Sequence, residues 1–347
     1  MPPELPPASL RLAIDHDALA ANWRVLDQLS GKARAGAAVK ADAYGLGVGT
    51  AAPVLHAAGC GDFFVAHWQE VPELLRHVPP ASVAVLHGPL TAADAAFAKA
   101  TGVRPVINSL AQARLWIDAG GGTCDVMVDT GINRIGLGLG DLADPLLARL
   151  EIDVLHSHLA SADEDSALNA VQQRRWHAAR GQVQHRRASL ANSAGIMLGT
   201  DYHGDLTRPG LALYGGVPCD ALAGRIKQVV TPEAALIQVR NIAAGETVGY
   251  NATFVAPGNM RIGVISLGYA DGYLRTWSGR GLFHNNGRGI PVIGRVSMDM
   301  TVVDLSAAPE LREGDWLAAD YSLPEAAATT GLSQYELLTL LGRRFTR

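Results

Sequence analysis

The feature that most constrains the fold is an alternation of short β-branched runs with amphipathic stretches through the first two thirds of the chain. Amphipathic segments lie between the runs, as in 17–29, where Leu19, Trp23, Leu26 and Leu29 recur at helical spacing. Eight runs are candidate strands, at residues 35–41, 62–67, 82–88, 104–109, 125–130, 152–158, 187–192 and 206–214. Because strand and helix alternate with short connections, we predict an α/β fold, a closed (β/α)₈ TIM barrel rather than an open doubly wound sheet.

The sequence pattern changes after residue 224. Residues 232–319 show period-2 hydrophobic alternation, and an Asn-Asn-Gly turn at 285–287 precedes a predicted hairpin arm over 290–305. We therefore predict a barrel domain over residues 1–224 and a C-terminal, mostly β domain over 225–347. The start of the chain, up to about residue 10, is a candidate for association with the β domain.

Composition excludes several classes of protein. With 347 residues, 48% of them hydrophobic and 18% charged, the chain is too apolar to stay disordered. The net charge is −4, and no basic run indicates a surface for nucleic acid. Cys60, Cys124 and Cys219 are an odd number without CxxC spacing, which favours a reducing compartment and hence the cytoplasm. We find no signal-peptide pattern and no apolar run of about eighteen residues, so we expect neither export nor a membrane span.

Barrel enzymes carry their reactive groups at the C-terminal ends of the strands. The first candidate strand ends with Lys40 inside an apolar run. Burial lowers the pKa of an amine, which favours a nucleophile or Schiff-base former, although a snorkelling lysine would show the same pattern. The fifth strand leads to Asp129 and Arg134. Arginine suits a carboxylate or phosphate ligand, whereas Asp129 is equally suited to capping the following turn.

Two histidines, His156 and His158, end the sixth candidate strand. Residues i and i+2 of a strand point to the same face, so a metal site with Asp163 is one hypothesis. Neither an HExxH motif nor a cluster of acidic ligands accompanies them. We therefore predict no bound metal.

The seventh and eighth strands carry small groups suited to a phosphate. Asn192 and Ser193 end the seventh strand, and Arg208 and Gly210 belong to the eighth. Backbone amides near Gly210, together with Ser193, form the kind of phosphate cradle that many barrels place after these two strands.

In this order along the chain, these groups resemble the alanine racemases, pyridoxal-phosphate (PLP) enzymes of fold type III. The resemblance runs from about residue 12 to the C-terminus. Its most diagnostic stretch is AVKADAYG at 38–45, which is similar to the family's cofactor-lysine signature. The other matching motifs are DTGINR (129–134), ASADE (160–164), ANSA (191–194), RPGLALYG (208–215), GY (249–250), GYADGY (268–273) and MD (298–299).

The resemblance implies a PLP-dependent alanine racemase that supplies D-alanine for peptidoglycan by a two-base mechanism. Lys40 would bind PLP covalently and exchange the α-proton on one face of the substrate, and Tyr250 would exchange it on the other. In the family, the tyrosine matching Tyr250 reaches into the partner subunit's barrel, so a homodimer with shared sites is implied. His158 is expected to hydrogen-bond the Tyr250 phenol and to be linked to Arg208, which would face the pyridine nitrogen.

The resemblance also assigns the remaining contacts. The implied cofactor-binding residues are Lys40, Tyr44, Arg134, Asn192, Ser193, Arg208, Gly210 and Leu211. The implied substrate-binding residues are Arg134, Tyr269 and Met298, the last through its backbone amide. Asp299 has a supporting position, and the charged ring of the channel that leads to the site matches Asp163, Arg275 and Arg295.

Three positions depart from the family pattern. The tyrosine that some relatives use to complete the phosphate site and the inner gate is here Arg343, so cofactor affinity and substrate range are expected to differ. The carbamylated lysine that many members place beside the arginine matching Arg134 is here Met127, which can carry no charge. Our hypothesis is that a chloride or another side chain supplies the missing anion. A histidine that some relatives place near the arginine matching Arg208 is here Ser189, so the support of Arg208 is expected to differ.

Three other functions are compatible with parts of the sequence. The nearest is a broader-specificity racemase of the same fold that acts on serine or basic amino acids. The second is a metal-dependent barrel hydrolase built on His156, His158 and Asp163. The third is a non-catalytic PLP carrier, against which Tyr250 and the added β domain argue.

Overall fold

A computed structural model describes residues 6–346. The described chain separates into two compact units. Residues His16–Lys227 form one unit, and the segments before residue 16 and after residue 227 form the other. Strand β1 (Leu10–Ile14) belongs to the second unit, where it pairs antiparallel with a strand that begins at Val230. Strand β1 thus extends the C-terminal sheet, whereas residues 1–5 of the predicted segment lie outside the described residues. The division between the units lies three residues after position 224.

The unit His16–Lys227 is a parallel barrel, which confirms the predicted fold. Its strands are β2 (Arg34–Ala35), β3 (Ala37–Ala38), β4 (Phe63–Val65), β5 (Val83–Val85), β6 (Arg104–Ile107), β7 (Thr123–Met127), β8 (Glu151–His156), β9 (Arg187–Ser189) and β10 (Leu206–Thr207). Strands β3 to β9 form one sheet in chain order, and β10 pairs with β2. Because β2 and β3 are one predicted strand interrupted at Gly36, all eight predicted strands are present.

Helices cover the connections between these strands. They are α1 (His16–Leu29), α2 (Lys40–Tyr44), α3 (Val48–Ala58), α4 (Val71–Leu74), α5 (Ala92–Thr101), α6 (Leu110–Asp118) and α7 (Ala167–Arg180). The face predicted for α1 is the buried one, since Leu19, Trp23 and Leu26 are all inaccessible. Ser109 caps α6 by accepting a hydrogen bond from the amide of Gln112.

The strands are shorter at their C-terminal ends than the sequence predicts. The predicted strand 206–214 stops at Thr207, and Leu211–Tyr214 is a 3₁₀ turn instead. The strand 35–41 likewise stops at Ala38. Alternating apolar residues continue past these points, but the backbone turns away into the loops that carry the site. The apolar pattern therefore predicts strands that are too long at the ends that lead into the site loops.

Met127 lies in the apolar interior of the barrel. It is 5% exposed and packs in a cluster with Phe64, Ala84, Val106, Val154 and Leu206. Such a cluster offers no partner for a charge, so a methionine rather than a lysine suits this position.

The second unit is built on an antiparallel sheet. Its further strands are β11 (Val230–Ile242), β12 (Thr247–Val248), β13 (Phe254–Val255), β14 (Met260–Ile265), β15 (Leu282–Asn285), β16 (Arg288–Ile293), β17 (Thr301–Asp304) and β18 (Trp316–Ala319). Seven strands follow the order β1-β11-β14-β17-β16-β15-β18, and a further β11–β18 pairing closes the sheet. Two helices, α8 (Leu323–Thr330) and α9 (Gln334–Thr339), follow.

The predicted hairpin is present, but its second arm is broken. Strands β15 and β16 pair across Asn286 and Gly287, whose φ angles of 49° and 78° suit a tight hairpin turn. The predicted arm 290–305 ends at Ile293 and resumes as β17 at Thr301. The loop between them carries Met298. Within residues 6–346 no helix combines the length and apolarity needed to cross a membrane.

Candidate functional site

Lys40 opens one turn of left-handed helix at the end of β3. The φ angles of Ala41, Asp42 and Ala43 are 54°, 53° and 54°, a conformation that costs an L-residue roughly 1–2 kcal/mol. The Glu70 carboxylate offsets part of this strain, since it accepts hydrogen bonds from the amides of Ala41 (2.5 Å) and Ala66 (2.7 Å). Glu70, which the sequence analysis missed, thereby fixes the turn that presents Lys40.

The electrostatic surroundings favour a neutral amine at Lys40. Burial lowers the pKa of Lys40, and the cation of Arg134 lowers it further, with a smaller contribution from Arg208. The Glu70 carboxylate opposes this shift. A lysine with a lowered pKa is a better nucleophile and proton acceptor near neutral pH, as its place in the apolar run predicts.

A compact cradle lies where the predicted phosphate site should be. Ser193 Oγ accepts hydrogen bonds from the amides of Gly210 (3.0 Å) and Ala212 (3.3 Å). The Tyr44 ring stacks on Tyr214 with their centroids 4.8 Å apart. A Cβ atom added at Gly210 would lie 2.3 Å from the Tyr44 hydroxyl oxygen. Only a glycine fits this close approach. The amide of Leu211 opens the 3₁₀ turn, where a first amide has no partner within the turn.

Arg208 is almost fully buried, and its terminal nitrogens are bound to the barrel wall. Nη1 donates to Ser189 Oγ and, at 3.2 Å, to His156 Nδ1. Nη2 donates to the carbonyl oxygens of Ser157 and Leu190. Among residues 6–346 no acceptor is found for the Nε–H group. This donor is therefore free for an acceptor that the described chain does not supply, such as a ring nitrogen.

In the described chain, the histidine that is hydrogen-bonded to Arg208 is His156. His158 was expected to be linked to Arg208, but in the described chain its ring makes no hydrogen bond with that guanidinium; His156 does. The reason is that β8 ends at His156, which still faces Arg208, whereas His158 lies in the loop beyond. Burial, with the cations of Arg208 and Arg134, lowers the pKa of His158 to about 3, so its ring is neutral.

A buried glutamine that the sequence analysis missed fixes the His158 loop. Gln172, on α7, donates to the His158 carbonyl oxygen (3.0 Å) and to Thr130 Oγ1 (3.2 Å), and accepts from the Ala160 amide (2.8 Å). The sequence gives no local signal for this role, because α7 carries several other polar residues and the burial of Gln172 is known only from the structure.

Asp129 has the capping role. Its carboxylate accepts hydrogen bonds from the amides of Gly131, Ile132 and Arg134 at 2.8 to 3.0 Å. The Arg134 side chain is exposed, and across residues 6–346 no side chain forms a hydrogen bond or ion pair with it. The missing anion is thus not replaced by a side chain of the described chain.

The other predicted polar residues of the barrel have simpler surroundings. Asn192 Oδ1 accepts from the Gly195 amide at 2.9 Å, which holds the loop after β9, and Asp163 is exposed. In the part of the chain that the structure describes, no three His, Cys, Asp or Glu residues are grouped to hold a metal ion. Both ring nitrogens of His156 already have protein partners, Asp125 and Arg208.

The C-terminal unit gathers the remaining predicted residues on two adjoining loops. The amide of Tyr269 donates to the Ser297 carbonyl and that of Ala270 to the Met298 carbonyl, both at 3.0 Å, so the GYADGY and MD motifs are joined. The Arg275 guanidinium lies 5.3 Å from the Tyr269 ring centroid. Met298, whose backbone amide is a predicted substrate contact, is 54% exposed.

Asp299 forms part of an ion-pair group. It accepts from Arg344 Nη1 at 2.7 Å, and the same guanidinium donates from Nε to the buried Asp271 at 2.7 Å. Asp271 also accepts from the Gly268 amide. Arg344 therefore holds the GYADGY and MD motifs to the end of the chain.

Tyr250 is prominent on the surface of this unit. It is 64% exposed and follows Gly249, whose φ is 74°. With Arg295 and Met300 it lines a cavity of about 560 Å³ in the C-terminal unit. An exposed phenol beside a cavity and a cation is suited to contact with a ligand or a second chain.

Comparisons with known proteins agree with this geometry. The family model "Alanine racemase, N-terminal domain" matches residues 14–218, and "Alanine racemase, C-terminal domain" matches 229–347. The chain is 40% identical to the alanine racemase of Rhizobium meliloti over 99% of this chain and 98% of the relative. It is 39% identical to the biosynthetic alanine racemase of Agrobacterium fabrum over 98% and 93%. The crystal structure of alanine racemase from Bartonella henselae with covalently bound PLP matches with a TM-score of 0.89 and 35% identity, covering 98% and 99% of the two chains.

Proposed function

The chain belongs to the alanine racemase family, and we propose that Lys40 and Tyr250 are the two groups with which it moves the α-proton between L-alanine and D-alanine. PLP is its cofactor, and when bound it withdraws electrons from the amino-acid Cα and so makes that proton removable. The observation that carries the proposal is the half-buried Lys40 amine, whose pKa is lowered, at the end of a barrel strand.

The barrel residues fit PLP. The Nε–H donor of Arg208 suits the pyridine nitrogen, and because a guanidinium stays protonated it keeps a proton off that nitrogen. The Tyr44 hydroxyl, Ser193 Oγ and the amides of Gly210 and Leu211 would bind the phosphate, which is supported by the close approach of Tyr44 and Ser193 to Gly210. Lys40 would hold the cofactor covalently. Once released, its neutral amine can take the α-proton on one face, and the ammonium so formed can return a proton on that face.

Substrate orientation is assigned to one cation and one backbone amide. We assign the alanine carboxylate to the exposed Arg134 guanidinium and to the Met298 amide, because a guanidinium matches a carboxylate in shape and charge. Tyr269, held against the Met298 loop and covered by Arg275, would narrow the entrance to suit a methyl side chain. Asp163, Arg275 and Arg295 would form the charged ring of the channel.

Gly210→Ala is expected to weaken PLP binding by about 10- to 100-fold, the range lost when a supporting contact of a bound group is displaced. The added methyl group would lie 2.3 Å from the Tyr44 hydroxyl oxygen and so push it out of the cradle. Gly61→Ala is the matched control, since nothing lies within 4 Å of a Cβ there. The measurement is titration of each apoprotein with PLP by absorbance. Equal PLP affinities in the two variants would show that Gly210 is not part of the phosphate site.

The active species is proposed to be a homodimer in which Tyr250 completes the partner subunit's site. Support comes from the exposed apolar groups of the C-terminal unit: Tyr250, Val255, Met298 and Met300 are 64%, 57%, 54% and 44% exposed. Tyr250 and Met300 line the same cavity, and exposed apolar side chains that are neighbours favour a surface that another chain covers.

Subunit mixing tests the function and the shared site together. Lys40→Ala and Tyr250→Phe chains, each inactive alone, are mixed under conditions that exchange subunits, and D-alanine formed from L-alanine is measured by chiral chromatography. A purified heterodimer has one intact site of two, so about half of the wild-type rate is expected. If the mixed chains recover no activity, both groups act in the site of one chain. If the wild-type protein itself produces no D-alanine, the proposed function is wrong.

We further propose that the reaction takes place in the cytoplasm and supplies D-alanine for peptidoglycan. All three cysteines are free thiols, two of them buried, which suits a reducing compartment. Rescue of a bacterium that requires added D-alanine for growth would test the cell-wall role. Failure of an active, expressed enzyme to restore growth would contradict it.

A further inference from the structure

Behind Arg208 lies a row of buried side chains to which the racemase mechanism assigns no role. The row passes from Arg208 to His156 on β8 and then to Asp125 on β7. His156 and Asp125 are fully inaccessible, and Arg208 is 7% exposed. Such groups are costly to bury unless each is paired, so their pairing constrains where the protons lie.

The hydrogen-bonding directions of this row are fixed by chemistry. A guanidinium can only donate, so His156 Nδ1, at 3.2 Å from Arg208 Nη1, must be the unprotonated acceptor. The ring proton then lies on Nε2, which donates to Asp125 Oδ2 at 3.1 Å. Asp125 must be ionised to accept this bond together with those from Arg104 Nε (3.2 Å) and the Val154 amide (3.1 Å).

A balanced group of charges anchors the far end of the row. Arg104 also donates to Asp62 at 3.0 Å, and Arg187 binds Asp62 (2.8 Å) and Asp153 (2.7 Å). With Asp125 and Arg208 this makes three carboxylates and three guanidiniums, so a neutral His156 leaves the whole group uncharged. Burial, together with the cation of Arg208, lowers the pKa of His156 to about 4 against the opposing effect of Asp125, in agreement with a neutral ring.

We propose that Asp125, acting through the His156 Nε2–H tautomer, is the residue that positions the Arg208 guanidinium. The inference rests on the proposed role of Arg208 toward the pyridine nitrogen. Ser189, the residue paired with His156 across β8 and β9, accepts from the same Nη1. Two acceptors on Nη1 and two carbonyls on Nη2 fix the plane of the guanidinium, and that plane sets the direction of Nε–H.

The competing explanation is that His156 only fills space. Its ring meets the edge of Phe64 with centroids 5.7 Å apart, so it has a packing role as well. A packing role depends on the volume of the side chain, whereas positioning depends on an acceptor toward Arg208 and a donor toward Asp125. Substitutions that keep one property and remove the other distinguish the two.

The first test is a comparison of His156→Leu with His156→Gln. The glutamine amide can accept from Arg208 and donate to Asp125, whereas leucine can do neither. We expect kcat of His156→Leu to fall by about 10- to 100-fold with KM for alanine little changed, and the absorption band of bound PLP to shift. His156→Gln should restore the band and most of kcat. His203→Gln, at another buried barrel histidine without contact to Arg208, is the control.

The second test observes the proton directly. In ¹⁵N-histidine-labelled holoenzyme, the His156 signals, identified by their absence in His156→Gln, should show a protonated Nε2 and an unprotonated Nδ1 between about pH 5.5 and 9. Asp125→Asn should alter this tautomer signature and the PLP band together. A protonated Nδ1 in the wild-type protein, or equal losses in His156→Leu and His156→Gln, would overturn the proposal. If the wild-type protein shows the expected His156 tautomer but does not racemise alanine, the proposed function is wrong while the hydrogen bonds from Asp125 through His156 to Arg208 still stand.

Discussion

Lys40→Ala is expected to lower kcat/KM for racemisation by at least about 10⁴-fold, the upper end of the effect of one acid–base group. The substitution removes both the amine that holds PLP covalently and the group that transfers the α-proton on its face. No other lysine can substitute, because the left-handed turn held by Glu70 presents only this amine. The rate is measured by chiral chromatography of alanine after incubation with added PLP.

The covalent role is measured separately from the rate. Borohydride reduction of the wild-type holoenzyme should fix the cofactor to the peptide containing Lys40, which mass spectrometry identifies, and the variant should give no such adduct. Lys99→Ala, in the same barrel, is the control because the Lys99 ammonium only donates to the Ala119 carbonyl. An adduct on another lysine in the variant, or a rate near that of the wild type, would show that Lys40 is not the attachment site.

The barrel could be predicted from sequence because its signal is local. Each strand contributes a short apolar run, and the flanking helices show their own periodicity, as in α1. The same local signal fails at the strand ends. The turn at residues 41–44 has the composition of a strand or helix, yet it is left-handed, and its first amide donates to the Glu70 carboxylate. A contact between residues 29 positions apart leaves no local trace.

The link between His158 and Arg208 follows from the family resemblance and stays a prediction. In the described chain Arg208 donates to His156, the last residue of β8. Which histidine contacts the guanidinium depends on where β8 ends, and the apolar pattern does not fix that point. Asp125 was missed because its partners come from β6 and β8, and a buried acid is explained only once those neighbours are known.

By contrast, the departures at Met127 and Ser189 were visible in the sequence. A methionine can hold no charge, and the structure places it among apolar side chains. Serine was expected to change the support of Arg208, and its hydroxyl accepts directly from that guanidinium. The consequences of such substitutions can be predicted from the chemistry of one side chain, even when its distant contacts are not known.

Tyr250→Phe is expected to lower the racemisation rate by about 10²- to 10⁴-fold while leaving PLP bound and coloured. Phenylalanine keeps the ring but removes the hydroxyl that exchanges a proton on one face of the substrate. Lys40 stays in place, so exchange on its own face should continue. The variant should therefore still exchange the α-proton of one alanine enantiomer in D₂O, with little conversion to the other.

This asymmetry distinguishes a second base from a residue that only closes the site. Loss of a closing residue would slow exchange for both enantiomers, because both need the same enclosed substrate. Loss of a base slows only the enantiomer whose proton faces it. The measurement is proton NMR of the alanine α-signal in D₂O, starting from each enantiomer in turn. Tyr202→Phe, at a partly exposed tyrosine of the barrel unit, is the control and should behave as wild type. Equal slowing of both enantiomers by Tyr250→Phe would mean that the second proton donor is another group.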